Sequence, residues 1–167
     1  GIGGGMFISH STSPTFTNVT ISGNAAEDDG GGMYLAYANN FTLTDVTFSG
    51  NVAWFGGGMY LFHSDATLTD VTFSDNWAYH HNVSGDGGGV YIYYSDPTLT
   101  DVTFSGNEAD HRGGGMYLES SNPTMTAVIF SGNTADGVAG NVGGGGMYLN
   151  DSSPTLDNVT IVNNTAT

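Results

Sequence analysis

The sequence predicts an all-β fold in which the chain winds as a parallel β-helix, a β-solenoid of about six coils. Two blocks recur along the 167 residues. The first is Gly-Gly-Gly-Met-Tyr-Leu or a close variant, and its fourth residue is Met6, Met33, Met59, Val90, Met116 and Met147. The second is Thr-Leu-Thr-Asp-Val-Thr-Phe-Ser-Gly-Asn or a variant, and it ends at Asn24, Asn51, Asn76, Asn107, Asn133 and Asn164. Such regular repetition is typical of solenoids.

The spacing of the two blocks divides each coil into a constant part and a variable loop. From the first anchor to the second there are always 17 or 18 residues, whereas from the second to the next first there are 8, 9 or 14. Successive coils are therefore 26–31 residues long. Both 31-residue steps contain a long loop, and we expect the two loops to leave the same edge on alternate coils, because two large bulges on adjacent coils would collide.

Each constant part is predicted to hold about three short strands. In Met33-Tyr34-Leu35 the Met and Leu share one face and the Tyr faces the other way, which is the period of two of a strand. Val46 and Phe48 share a face in the same manner. β-Branched and aromatic residues dominate these segments, and Gly, Asn, Asp, Ser and Pro separate them. Strands this short are stable only when each coil pairs with the coils above and below it.

Equivalent positions carry like residues in every coil, which predicts a narrow core of stacked side chains. The three apolar columns are Phe16, Leu43, Leu68, Leu99, Met125 and Leu156; Val19, Val46, Val71, Val102, Val128 and Val159; and Ile21, Phe48, Phe73, Phe104, Phe130 and Ile161. An Ala column follows two residues after each Asn anchor. The anchors form a polar column, which an apolar core tolerates only when it is hydrogen bonded. We therefore predict a stacking ladder of amides along Asn24, Asn51, Asn76, Asn107, Asn133 and Asn164.

A second ladder is predicted on the outside of the first strand. The position after each Met anchor is aromatic, and these residues are Phe7, Tyr34, Tyr60, Tyr91, Tyr117 and Tyr148. With the glycines before Met they suggest an aromatic strip beside a shallow glycine track. The strip could contact another filament or a polysaccharide, or its rings could simply stabilise the sheet.

Charge and composition restrict the partners and the chemistry. The chain has 16 acidic residues and one basic residue, Arg112, for a net charge of −15. It therefore cannot neutralise phosphates, and we expect no nucleic-acid partner. There is no cysteine and no apolar run of transmembrane length. No singular cluster of catalytic residues is present, so we expect no enzymatic activity and no cofactor.

Two groups of residues could hold a metal ion, although ordinary solvated loops and corners explain both. Asp45, Asp70 and Asp101 fall in one column, where Ca²⁺ could bridge adjacent coils through carboxylate oxygens. His80, His81, Asp110 and His111 fall in neighbouring loops, where a Zn²⁺ site is conceivable. His10 and His63 share a column, but Tyr37 separates them and they should not meet. Six Asn-x-Ser/Thr sequons, at Asn18, Asn40, Asn82, Asn150, Asn158 and Asn163, would matter only in a host that glycosylates them.

The repeat resembles those of known surface proteins. The Gly-Gly-x-x and Phe-x-x-Asn pairing is similar to the repeats of chlamydial polymorphic membrane proteins. The fuller pattern, with Pro-Thr-Leu-Thr-Asp-Val-Thr-Phe-Ser-Gly-Asn, resembles large bacterial surface proteins with right-handed parallel β-helix repeats. This resemblance implies a right-handed coil, secretion, and an extracellular or cell-surface location; the crossover rule favours the same hand.

We interpret residues 1–167 as a single β-helix domain that serves as a structural subunit of an extracellular fibre or surface stalk. Continuing from Asn164 into Gly1 reproduces the Asn-to-Met step of 9 residues, so the chain corresponds to one period. This predicts head-to-tail stacking of copies, or one period of a longer chain. The alternatives are a carbohydrate- or surface-binding adhesin module that uses the aromatic strip and, less favoured, a polysaccharide-active enzyme.

Overall fold

The computed structural model describes residues 1–80, 85–137 and 143–167, and it confirms the predicted parallel β-helix. Every strand in these ranges pairs in parallel with the equivalent strand of the adjacent coil, and together the strands form three sheets. No helix occurs in the described residues, and hence none there could span a membrane. Each coil contributes one strand to the first sheet, one or two to the second and, from the second coil onward, a two-residue strand to the third.

The first sheet has six strands that begin at the Met anchors. They are β1 (Met6–Ser9), β3 (Met33–Ala36), β6 (Met59–Phe62), β9 (Val90–Tyr93), β13 (Met116–Glu119) and β17 (Met147–Asn150). The register places each Met over the next, with Val90 taking its place in the fourth coil. The tyrosines after them are likewise in register, as the repeat predicts.

The second sheet contains the three apolar columns. Its strands are β2 (Thr15–Ser22), β4 (Thr42–Ser49), β7 (Thr67–Ser74), β10 (Thr98–Thr100), β11 (Thr103–Ser105), β14 (Thr124–Thr126), β15 (Ile129–Ser131), β18 (Thr155–Asp157) and β19 (Thr160–Val162). The third sheet is formed by β5 (Val52–Ala53), β8 (Trp77–Ala78), β12 (Glu108–Ala109), β16 (Thr134–Ala135) and β20 (Thr165–Ala166).

The core is the predicted stack of like side chains. In the central coils the Leu, Val and Phe columns are at most 1% exposed. The rings of Phe48, Phe73, Phe104 and Phe130 stack with centroids 4.8–4.9 Å apart. The sequence reasoning missed Phe41, which is fully buried at a position where other coils carry Pro or Ala and whose ring packs on Phe16.

The glycine runs form a packed corner, and the expectation of a shallow glycine track on the surface was wrong. In the third coil Gly56 has φ +63°, a left-handed conformation that favours glycine. A Cβ on Gly57 would lie 2.5 Å from the Trp77 carbonyl oxygen, and one on Gly58 would lie 2.5 Å from the Gly89 carbonyl oxygen and 3.0 Å from the Phe73 ring. The glycines are needed because backbone and core side chains already occupy that space.

The aspartate column of the second sheet has a conformational explanation. Asp45, Asp70 and Asp101 have φ between 53° and 54°, and Asn18 and Asn158 have the same left-handed backbone in their coils. Asp and Asn tolerate this conformation better than most residues. The carboxylates are exposed, and the turn alone accounts for the choice of residue.

The two long loops enter and leave the coil at the same corner, as predicted. Phe55, Asp86, Arg112 and Gly143 pair as one column of isolated bridges ahead of the glycine runs. In the third and fifth coils the bridge residues Asp86 and Gly143 lie eight residues after the alanine of the Ala column, whereas in the second coil Phe55 lies two residues after it. The inserted residues 81–84 and 138–142 lie outside the described residues.

Candidate functional site

The Asn ladder is the most regular polar feature of the core. Asn51, Asn76, Asn107 and Asn133 have no solvent exposure. The Oδ1 of Asn107 accepts from the backbone N–H of Asn76 (3.1 Å) and from its Nδ2 (2.9 Å). The Nδ2 of Asn107 donates in turn to Asn133 Oδ1 and to the Phe73 carbonyl, each at 2.9 Å. The same pattern joins all six predicted residues, and no buried side-chain polar atom in the described residues lacks a partner.

The ladder has a direction. Each rung donates to the rung of the following coil and accepts from the rung of the preceding coil. At the first coil, Asn24 donates to Asn51 Oδ1 (3.0 Å). At the last coil, Asn164 Oδ1 accepts from Asn133 (2.8–2.9 Å). The pattern therefore leaves acceptor capacity at Asn24 Oδ1 and a donor at the Asn164 backbone N–H.

A second polar ladder runs along the turn between the first two sheets, and the sequence reasoning missed it. The backbone N–H groups of Ser64, Ser95 and Ser121 donate to the hydroxyl of the serine in the next coil, at 2.9–3.1 Å. Each hydroxyl also donates to the carbonyl two residues earlier in its own coil. The signal was available, because five of the six coils have Ser at this position: Ser11, Ser64, Ser95, Ser121 and Ser152.

The end coils expose the apolar columns that the central coils bury. Side chains of the last coil are about half exposed: Leu149 44%, Leu156 46% and Ile161 54%. Their equivalents one coil earlier, Leu118, Met125 and Phe130, are fully buried. At the first coil, Met6, Phe16 and Val19 are only half-buried, and a cavity of about 320 Å³ is lined by Met6, Val19, Ile21 and Asn24 among others.

The predicted Tyr strip exists as a ladder, but its centre is covered. Neighbouring rings from Tyr34 to Tyr148 stack at 4.6–5.3 Å. Tyr60, Tyr91 and Tyr117 are only 9%, 7% and 4% exposed, because Phe55, Phe62 and Tyr93 pack along their sides. Burial raises the pKa of Tyr60 and Tyr91, and the Glu119 carboxylate that accepts a hydrogen bond from the Tyr91 hydroxyl adds to the shift. Within this strip only Phe7, at 50% exposed, offers an open ring.

A buried hydrogen bond between His111 and Asp86 lies next to this layer. His111 Nδ1 is 2.9 Å from Asp86 Oδ1, and both residues are buried. Burial raises the pKa of Asp86, against the opposing effects of His111 and Arg112. The Arg112 guanidinium lies 5.0 Å from the centre of the Tyr148 ring, in a cation–π contact.

The proposed zinc ligands are used for other contacts. His111 pairs with Asp86, and the carboxylate of Asp110 accepts from Trp77 Nε1 (3.1 Å) and from the backbone N–H of His80 (3.2 Å). His81 lies outside the described residues. Within residues 1–80, 85–137 and 143–167, no group of three or more His, Cys, Asp or Glu side chains could hold a metal ion.

An exposed aromatic ladder follows the first sheet, and we call it the turn ladder. It consists of His10, Tyr37, His63 and Tyr94, whose rings stack with centroids 5.1–5.2 Å apart. The sequence placed His10, Tyr37 and His63 in one column but did not predict that the rings stack. As expected, Tyr37 keeps His10 and His63 apart. The four residues have φ between 45° and 52°. This backbone costs of order 1–3 kcal/mol for a residue other than glycine.

The comparisons with known proteins assign a family. The family model for the right-handed beta helix region matches residues 4–167. The chain belongs to the right-handed β-helix family. This membership confirms the repeat fold and its hand over nearly the whole chain, and it is characteristic of structural or surface repeat proteins in general; it does not single out the polymorphic membrane protein repeats. The chain matches no curated protein and no solved structure.

Proposed function

We propose that this β-helix is a structural segment of an extracellular fibre or cell-surface stalk, in which coils stack head-to-tail beyond both end coils. The observation that carries the proposal is that the two ends offer complementary, unpaired groups. A donor is available at Asn164 and an acceptor at Asn24, on the same ladder. A coil placed on either end would continue the pattern seen in the interior.

The apolar columns support the same arrangement. Leu156 and Ile161 are about half exposed, and they occupy columns that are at most 1% exposed in the middle of the stack. Burying apolar surface stabilises an assembly by roughly 25 cal/mol per Å². Exposed strand edges that nothing covers are ready to pair with another strand. The register of β1 and β17, both set by a Met anchor, allows the sheets to continue without a shift.

The geometry of such a contact sets the form of the assembly. The two surfaces are different faces of one chain, so the contact is heterologous and does not close on itself. Copies stacked in this way form a filament of unlimited length. The same groups would meet the next coil whether it belonged to another copy or to the same polypeptide. The resemblance to bacterial surface proteins supports an extracellular location.

The experiment is to disrupt one end of the stack without disturbing the interior. Ile161→Lys places a charge in the inward-facing column of the last coil, above Phe130. Thr160→Lys adds the same charge to the neighbouring exposed position, which faces away from the core. We expect filaments of the wild type and of Thr160→Lys in negative-stain electron microscopy, and discrete particles of Ile161→Lys. A wild-type chain that sediments as a monomer at high concentration would refute self-stacking.

A further inference from the structure

We propose that the turn ladder, His10, Tyr37, His63 and Tyr94, is a docking surface for an arginine-rich basic segment of a partner protein. This site is distinct from the end faces and does not depend on stacking. Its partner chemistry is argued from exposure, backbone conformation and charge.

Burial in the core does not explain the rings of the turn ladder. Tyr37 and Tyr94 are 46% and 48% exposed, and His10 and His63 are exposed as well. The covered Tyr117, on the same sheet, is 4% exposed. Four large rings therefore remain in solvent on one corner of the molecule. Contiguous exposed apolar surface of this kind marks interaction sites.

The turn itself does not require aromatic residues. The fifth and sixth coils make the same left-handed turn with Ser120 (φ 49°) and Asp151 (φ 47°). Bulky side chains are unfavourable in this conformation, so the rings at Tyr37 and Tyr94 are retained against a local conformational preference. Strain of this kind is found where a side chain serves a purpose other than the fold.

The turn ladder is wider than a single file of rings. Phe62 meets His63 edge-on with centroids 4.5 Å apart, and Tyr93 lies against Tyr94 at 4.3 Å. Phe62 also meets Tyr37 edge-on at 5.3 Å. The result is a continuous aromatic surface over four coils, long enough for an extended segment rather than a single side chain.

Charge selects the class of partner. Asp65 and Asp96 lie two residues beyond His63 and Tyr94 in their coils, and both are exposed. Glu119 pairs with Tyr93 on the adjacent strand of the first sheet. The chain as a whole carries a net charge of −15 with one basic residue. An anionic ligand is repelled by this field, whereas a cationic one is attracted.

Arginine fits both parts of this surface. A guanidinium stacks on aromatic rings and pairs with carboxylates. Asp65 and Asp96 follow His63 and Tyr94 by two residues, and one oxygen of each carboxylate accepts a backbone N–H from the next coil. The chain already uses the first of these contacts internally, where Arg112 lies over Tyr148. The geometry therefore favours an arginine-rich polypeptide over a neutral glycan.

The test separates ring contacts from general attraction to an acidic protein. The probe is a fluorescent peptide of alternating arginine and glycine, and its neutral counterpart carries citrulline in place of arginine. The double variant Tyr37→Ser, Tyr94→Ser removes two rings, keeps the net charge and uses the residue found at Ser120. The control Asp45→Asn, Asp70→Asn removes two charges at a different corner and keeps residues that tolerate its turn.

We expect the Tyr-to-Ser variant to weaken peptide binding about tenfold, the Asp-to-Asn control to change it much less, and the citrulline peptide not to bind. Unchanged thermal melting of each variant verifies the fold; if the double variant is unstable, His63→Ser alone is used. Equal binding by the wild type and the Tyr-to-Ser variant would overturn the proposal, and so would an equal loss in the control. Binding of cellohexaose in preference to the arginine peptide would also overturn it, in favour of a carbohydrate site.

Discussion

Replacing Asn107 by leucine tests whether the Asn ladder holds the coils together. The substitution keeps the size of the side chain but removes four hydrogen bonds, two accepted by Oδ1 and two donated by Nδ2. The backbone N–H of Asn76 loses its acceptor in a site without solvent, which alone costs about 1–3 kcal/mol. The Phe73 carbonyl loses a donor as well. After the gain from burying a more apolar side chain, we expect Asn107→Leu to lower the free energy of unfolding by about 2–4 kcal/mol.

The first rung provides the matched control. The side chain of Asn24 donates to Asn51 Oδ1, but that oxygen also accepts from the backbone N–H of residue 24, which the substitution retains. Asn24→Leu therefore orphans no buried donor and should cost far less. Thermal and urea unfolding followed by circular dichroism compare the two variants; a chain of this size loses about 2–4 °C of melting temperature per kcal/mol. If Asn107→Leu were no more harmful than Asn24→Leu, the ladder would not be a source of stability.

Three further outcomes follow from the corners and the charges. Ala127 has φ 54° in the column of Asp101, so Ala127→Asn should raise the melting temperature, whereas Ala127→Val should lower it. Burial raises the pKa of Asp29 to about 6, with repulsion from Asp28 adding to the shift. The folded chain thus holds this proton after the unfolded chain has released it, and stability should fall as the pH rises from about 4 to about 6. Asp29→Asn should flatten that part of a pH series of urea titrations. Because the net charge is −15, added salt should raise the melting temperature. Ca²⁺ should raise it further, in a manner that EDTA reverses, only if the column of Asp45, Asp70 and Asp101 binds the ion. Identical melting curves with and without EDTA would exclude a Ca²⁺ site in this column.

The columns of the fold could be predicted because they repeat. Leu43, Val46, Phe48 and Asn51 each stand for six equivalent positions, and a period of two within a strand decides which of them face inward. The Asn ladder followed from the same logic, since a buried amide in every coil must pair with its neighbours.

The features that escaped prediction depend on residues that do not repeat. Tyr60 and Tyr91 point away from the core, as the alternation requires, but Phe55, Phe62 and Tyr93 cover them. Apart from Ile2, the equivalent positions in other coils carry small or polar residues. Phe41 is buried because one coil has a large ring where others have Pro or Ala. The column of His10, Tyr37 and His63 was visible in the sequence, but its stacked rings were not predicted because His and Tyr alternate in it and no single residue type marks a ladder.

The corner between the Ala column and the bridge column keeps its pairing when the chain between them changes in length. Phe55 pairs with Asp86, although Phe55 lies two residues after the alanine of its coil and Asp86 lies eight residues after the alanine of its own. Arg112 and Gly143 pair across a similar difference in length. The strand register therefore does not depend on the length of the loop inserted at this corner. Related proteins can vary the loop of each coil, and with it the outer surface, without changing the β-helix beneath. Foreign peptides could be inserted at the same corner and displayed at regular intervals along the rod.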